Sequence, residues 1–278
     1  MRSVLVTGAS TGIGRATALR LDAAGWRVFA GVRKQADADD LATAGSDRLL
    51  PLILDVTEAD QVAAAAARIE AAGGALHGLV NNAGIAVPGP LETLPIDDFR
   101  RQVEVNLTAQ VAVTKQMLPL IRRAPGRIVF LSSIGGRIAF PFFGAYHAAK
   151  FGIEAVGDTL RRELRPWDIS VSIVEPGSID TRIWERGEDE GDAIEARFSD
   201  AQRQLYGQAL EDFRKVTKAT AARGIPPEKV AATIEHALTS SRPRPRYLVG
   251  ADARVQARLA QVIPTRLFDR IVAHMISR

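Results

Sequence analysis

Tyr146 and Lys150 stand four residues apart, and Ser133 precedes the tyrosine by thirteen. Four residues is about one helical turn, so the spacing predicts that phenol and amine project from one helix face. A lysine ammonium close to a phenol favours the phenolate and lowers the tyrosine pKa. A phenol tuned in that way can exchange a proton with an alcohol or ketone near neutral pH. The pair is expected to be a proton-transfer device.

A second feature supplies a nucleotide entrance. Thr7-Gly8-Ala9-Ser10-Thr11-Gly12-Ile13-Gly14 follows a short apolar run and opens a helical stretch. Glycines there let the backbone turn tightly and approach a pyrophosphate, which a helix N-terminus attracts. Plain turn chemistry explains many glycine triplets. The strand–turn–helix context favours a dinucleotide. Past the second apolar run the chain reads Val32-Arg33-Lys34, with no carboxylate until Asp37. An acid at that point would accept the ribose hydroxyls of NAD and repel a 2′-phosphate. Arg33 can pair with a phosphate, so NADP(H) is the favoured cofactor and NAD(H) the alternative. The competing reading of Arg33 is a solvent-facing arginine with no ligand.

The elements that must position these residues follow from periodicity. Apolar runs at residues 3–7, 27–32, 49–54, 76–81, 126–132, 169–174 and 246–249 read as strands. Helical stretches are expected at 12–24, 36–43, 58–72, 95–123, 143–165 (ended by Pro166) and 226–239, with Gly25 in a C-terminal cap. Strands alternating with helices predict an α/β fold, a Rossmann-type doubly wound parallel sheet with helices on both faces. No linker divides residues 1–278, so a single domain is expected. The charged segment 181–224 is too long for a simple connection and reads as a lid. A C-terminal extension, 251–278, holds two amphipathic helices split by Pro264. Leu267, Phe268, Ile271, Val272 and Met275 are expected on one face.

Composition closes several routes. The chain has no cysteine, which excludes disulfides, thiolate metal sites and a cysteine nucleophile. Four scattered histidines have no metal-ligand spacing, so no metal is expected. The N-terminus runs straight into a strand, with no signal or spanning segment, and cytoplasmic residence is the default expectation. The net charge of +4 is uneven: eight arginines face two acids between Arg242 and Arg278. A solvated helix face is the plain reading, with no nucleic acid partner. The alternative is that the last two helices touch a lipid surface or a partner subunit.

These motifs together resemble the short-chain dehydrogenase/reductase family, in the branch marked T-G-x-x-x-G-x-G. Thr7 through Gly14 meets that pattern in full, and Asn81-Asn82-Ala83-Gly84 matches the N-N-A-G segment after strand four. Asn106, in Val-Asn-Leu, falls at the family's asparagine. Ser133, Tyr146 and Lys150 complete a tetrad, and Pro176-Gly177 with Thr181 match the segment that meets the nicotinamide half. The resemblance covers residues 3–250. It implies that Tyr146 is general acid in reduction and general base in oxidation. Lys150 would lower its pKa and hydrogen-bond the nicotinamide ribose. Ser133 would donate to the substrate oxygen, and Asn106 would hold a water that continues a proton relay. Cofactor contacts are expected at Gly8, Ser10, Gly12, Ile13, Gly14, Arg33, Asp55, Val56, Asn82, Ala83, Gly84, Tyr146, Lys150, Pro176, Gly177, Ile179 and Thr181. Thr11 stands where many NADP-preferring relatives have a basic residue. Asp55 resembles the family's adenine-contacting acid, or is an N-cap for the helix near Glu58.

Within the family, the tail 246–253 and Ile263-Pro264 resemble retinol and hydroxysteroid dehydrogenases more loosely. That similarity and the apolar run 138–143 imply a lipophilic secondary alcohol or ketone as substrate. Animal members of that group often carry an N-terminal membrane anchor. A 3-oxoacyl thioester reductase is the rival enzyme, and a non-catalytic cofactor-binding regulator the rival class. A sugar-nucleotide epimerase fits less well, because its glycine turn is usually spaced differently. The resemblance also implies a homodimer or homotetramer packed through the helices near 95–123 and 143–165. Ser132 is expected to point away from the site, and His147 to be a packing or surface residue. Trp184 and Phe142 are expected either to line an apolar pocket or to anchor core and lid.

Overall fold

The computed structural model describes residues 1–276, with side chains to Ala273. Seven strands form one parallel sheet in the order β3-β2-β1-β4-β5-β6-β7. They are β1 (Ser3–Val6), β2 (Arg27–Val32), β3 (Leu49–Ile53), β4 (Gly78–Asn81), β5 (Arg127–Leu131), β6 (Ser170–Pro176) and β7 (Arg246–Val249). Side chains alternate across the sheet, as a two-residue period requires. Val4 and Val6 of β1 enter one core while Leu5 enters the other. Val129 and Ile128 of β5 divide the same way.

Helices cover both faces. On one lie α1 (Gly12–Ala23), α2 (Gln35–Ala44) and α9 (Pro227–Thr239), contributing Leu21, Leu41 and Ile234. The other carries α3 (Ala59–Ala71), α5 (Ala109–Ile121) and α6 (Gly144–Glu163), contributing Ile69, Met117 and Ile153. A single doubly wound α/β domain results.

Several boundaries differ from expectation for local reasons. The helical stretch near 95–123 is α4 (Ile96–Val103), a π-helical turn at Glu104–Thr108, and α5. Helix α6 stops at Glu163, before Pro166, which sits in a 3-10 turn at Arg165–Trp167 that ends on left-handed Asp168. Pro166 has no N–H to donate to the Arg162 carbonyl, so the α-helical ladder stops upstream. Gly25 takes φ 81° just beyond α1, and Trp26 N–H donates to the Leu21 carbonyl across that turn.

The segment between β6 and β7 folds as α7 (Ile183–Glu195) and α8 (Asp200–Ala221) before α9. Ser199 and Gln202 form a capping box at the start of α8. The C-terminal pair is α10 (Ala251–Val262) and α11 (Thr265–Ile276). Their predicted common apolar face is divided. Phe268 and Val272 turn inward, whereas Leu267 and Ile271 remain 48% and 42% exposed. The Met275 side chain lies outside the described residues. Among the described residues, no helix is long and apolar enough to cross a membrane.

Candidate active site

Strand order reverses between β1 and β4, and the crevice at the carboxyl ends of such strands is where this architecture binds ligands. A cavity of about 1470 Å³ opens there. It runs from Gly8–Gly14, past Arg33 and Asp55, along Asn82–Gly84, to Ser133, Tyr146 and Lys150.

The glycine turn is built for close approach. Gly8 and Gly12 take φ 66° and 54°, conformations that favour glycine. A Cβ on Gly14 would strike the Gly8 carbonyl and the Asn82 amide. Thr7 Oγ1 accepts from the N–H groups of Asn82 (3.0 Å) and Ala83 (3.1 Å), and Asn82 Nδ2 returns bonds to the carbonyls of Thr7 (2.9 Å) and Gly8 (3.0 Å). Asn82 therefore shapes the turn with an amide already committed to backbone. Thr11 precedes α1 without a side-chain cap, so the first-turn N–H groups are available to an anion. The glycine turn and the first-turn N–H groups of α1 fit the pyrophosphate of a dinucleotide.

Arg33 is exposed on the cavity wall at the end of β2. Asp55 is not the N-cap of α3, which begins after Glu58. Its Oδ1 instead accepts from the N–H and hydroxyl of Thr57, leaving the residue on the cavity wall beside Val56. Pro176 ends β6, and Gly177, Ile179 and Thr181 line the cavity's far side. Thr181 lies against Gly12, where a Cβ would meet its methyl at 3.0 Å. Asp252 Oδ2, at the start of α10, accepts from Ser178 N–H at 2.7 Å and fixes this segment.

The tetrad residues converge. Tyr146 and Lys150 occupy the first two turns of α6. Ser133 follows β5 in an extended conformation, and its Oγ accepts from Gly135 N–H at 3.0 Å. Lys150 Nζ donates to the Leu131 carbonyl at 2.7 Å and lies 5.7 Å from the Tyr146 ring centre. Asn106 sits inside the π turn, a form of helix associated with functional sites. Its amide is consumed by Ile85, accepting from the N–H and donating to the carbonyl, each at 2.9 Å.

One electrostatic expectation reverses. Burial raises the Tyr146 phenol above its ordinary pKa of 10.0, and the Ser133 side chain only opposes that. Lys150 is itself lowered to about 8 by burial, against the pull of Glu154. With its ammonium bonded to Leu131 rather than to the phenolic oxygen, desolvation outweighs charge attraction.

Ser132 is buried next to Gly136 and Glu154, away from the Tyr146 hydroxyl. His147 is a buried brace: its Nε2 accepts from Phe140 N–H at 2.9 Å, so its Nδ1 is the donor to the Gly135 carbonyl at 2.8 Å. Burial lowers its pKa, which suits a neutral ring. Trp184 lines the cavity and donates to the Ile179 carbonyl at 2.8 Å. Phe142, at φ 66°, turns out of the cavity lining and packs on Phe213 of α8.

Phe143 takes the lining position, with its ring centre 6.0 Å from Tyr146 and 5.3 Å from Phe213. On the opposite side Phe268 of α11 meets Phe140 at 6.3 Å. Phe213 was not expected at the site, and Phe268 was expected only on the apolar face of the last helix, because neither lies in a motif and both reach the site across long sequence separations. Among the described residues, no cluster of histidine and acidic side chains could hold a metal ion.

Known proteins share this fold. The family model described as short chain dehydrogenase matches residues 2–191. The chain belongs to the short-chain dehydrogenase family. It is 38% identical to mouse "Retinol dehydrogenase 5" over 99% of this chain and 89% of that protein. Bovine "17-beta-hydroxysteroid dehydrogenase type 6" is 40% identical over 97% and 87%. A short-chain dehydrogenase structure from Streptomyces avermitilis superimposes with TM-score 0.76 at 30% identity, covering 99% of this chain and 94% of the other. Another from Burkholderia cenocepacia, in complex with NADP, gives TM-score 0.75 at 25% identity over 97% and 98%. The protein is thus an oxidoreductase of the kind that works with a nicotinamide dinucleotide on CH–OH groups.

Proposed function

We propose that this short-chain dehydrogenase interconverts a bulky, lipophilic alcohol and its carbonyl compound, a steroid-type secondary alcohol and its ketone or a retinoid primary alcohol and its aldehyde, and prefers NADP(H). The observation that carries the reading is the aromatic row from Tyr146 through Phe143 to Phe213. It extends an apolar wall directly from the hydroxyl chemistry. The names of the relatives in mouse and cattle support the same substrate class. Arg33 supports the cofactor preference, since a guanidinium matches a 2′-phosphate.

The nicotinamide, when bound, supplies or accepts the hydride. In reduction, Tyr146 donates its proton to the carbonyl oxygen, and its raised pKa keeps that proton in place near neutral pH. Ser133 donates a hydrogen bond to the same oxygen and stabilises the charge that develops there. Lys150 supplies positive charge next to the resulting phenolate. Asn106 anchors the loop at Ile85 and so keeps the π turn facing Tyr146.

Residues 181–224 act as the substrate lid in this reading. Salt bridges Arg101–Glu190 and Lys218–Glu188, both 2.6 Å, hold α7 to α4 and α8. Exposed Phe151 on α6 supports self-association, which light scattering on the purified protein tests. Cytoplasmic residence with peripheral lipid contact completes the proposal. Exposed Val255, Leu259 and Val262 beside Arg254 and Arg258 support that contact. Unchanged liposome binding in a Val255→Ser, Val262→Ser double variant would refute it.

The principal test is a spectrophotometric screen of steroids, retinoids, acyl thioesters and simple ketones with both cofactors. Turnover confined to acyl thioesters rejects the substrate class. Tight NADPH binding without turnover of any of them rejects catalysis and favours a cofactor-binding regulator.

A further inference from the structure

One buried carboxylate has no part in the chemistry so far. Glu154 follows Lys150 by four residues on α6, so Tyr146, Lys150 and Glu154 share one helix face. Glu154 is 8% exposed. Its Oε2 accepts from Arg246 Nε at 3.1 Å. Its Oε1 is buried without a well-formed hydrogen bond, as is the neighbouring Ser132 Oγ.

The surroundings are charged on every side. Glu175 of β6 is fully buried and is paired twice with Arg137, Nη2 to Oε1 at 2.9 Å and Nε to Oε2 at 2.5 Å. Arg246 Nε also lies 3.2 Å from Glu175 Oε1. Arg246 Nη1 donates to Asp158 at 2.9 Å, and Asp158 has Arg161 as a further partner at 3.0 Å. Among the described residues, Glu154 thus has one arginine partner, which it shares with two other acids. Lys150 is the remaining buried cation on that face, and its Nζ donates to a neutral carbonyl.

We propose that Glu154 is a positioning residue of the reaction: its carboxylate is the counter-charge that keeps Lys150 an ammonium beside Tyr146, and Arg246 keeps that carboxylate ionised. Burial and the negative charge of Glu175 push Glu154 toward the neutral acid, and Arg246 opposes them. A neutral Glu154 would exert no pull on Lys150, whose own burial favours loss of the proton. The groups facing Glu154 are Arg246 from β7, Glu175 from β6, Ser132 after β5, and Lys150 and Asp158 on its own helix. Arg137 faces it only through Glu175.

This inference rests on Lys150 belonging to the proton-transfer set, and its test separates the two ideas. The chain has six lysines, so ¹³Cε-lysine NMR resolves each titration. Lys150 is identified by the signal lost in Lys150→Arg. In Glu154→Gln the Lys150 midpoint falls by about one pH unit or more, while Glu154→Asp leaves it near the wild-type value. The alkaline limb of kcat/KM moves down with it. Glu154→Met removes the same charge and serves if Glu154→Gln does not fold. An unchanged Lys150 midpoint in a folded charge-removing variant overturns the proposal. So does a shifted midpoint with an unmoved alkaline limb. A shifted midpoint in a protein that turns over nothing supports the pairing and counts against the reaction instead.

Discussion

Lys150 Nζ donates to the Leu131 main-chain carbonyl at 2.7 Å while lying 5.7 Å from the centre of the Tyr146 ring. The ammonium is therefore held by the carboxyl end of β5, the same strand end that presents Ser133. Strand β5 and helix α6 together fix three of the four tetrad side chains. Only Asn106 comes from elsewhere, and its π turn is locked to Ile85.

Tyr146→Phe should remove most turnover and leave cofactor affinity within about twofold, because only the hydroxyl is lost and the ring still packs on Phe143. General acid–base contributions run at about 10²–10⁴-fold. Turnover within tenfold of wild type, with normal cofactor binding, would remove Tyr146 from its assigned role.

Lys150 makes stability depend on pH in a defined direction. Its pKa is about 8 folded against an ordinary 10.5. Below pH 8 both states carry the proton, and the full cost of burying the charge is present. Between about 8 and 10.5 the unfolded chain binds more protons, so this contribution to stability rises with pH. The whole difference is about 3 kcal/mol at most. Lys150→Met lacks this dependence. Its stability advantage over wild type, measured by urea unfolding, should shrink between pH 7 and pH 10 (about 3 kcal/mol at the limit). A constant difference across that range would show that Lys150 is not strained by burial.

Arg33→Ala tests the cofactor. A hydrogen bond to a charged group contributes about 1.5–3 kcal/mol, so NADPH affinity should fall about tenfold to a hundredfold. NADH affinity should change by less than about threefold, since NADH brings no 2′-phosphate to that end of β2. Titration by fluorescence with both cofactors decides it, and equal losses would assign Arg33 to the solvated surface.

Legibility in the sequence followed locality. The turn Gly8–Gly14 and the pair Tyr146–Lys150 are short-range patterns, and each appears where its spacing required. The sheet was legible because buried parallel strands are continuous apolar runs, although β4 begins at Gly78 rather than Leu76. The π turn at Asn106 was not legible, since a widened turn depends on the Ile85 loop packed against it. Phe142 and Phe143 could not be told apart by composition. A positive φ at Phe142 decides which ring faces the cavity. The direction of the Tyr146 shift was missed for a related reason, because spacing reports a neighbouring charge but not the depth of burial.

Phe213→Ala probes the least local feature of the site. Phe213 meets Phe142 at 5.1 Å and Phe143 at 5.3 Å, both edge-on, and so ties α8 to the loop that precedes Tyr146. Aromatic pairs contribute about 0.5–1.5 kcal/mol each beyond the area they bury. Losing both should loosen α8 over the cavity and raise KM for a bulky steroid ketone by about tenfold. A small ketone that reaches only Ser133 and Tyr146 should lose much less, and kcat for it should stay near wild type, because neither hydroxyl touches Phe213. The selectivity ratio between the two substrates is the decisive measurement. If both KM values rise alike, α8 serves the fold rather than substrate choice, and the wall that discriminates must be sought around Phe140 and Phe268.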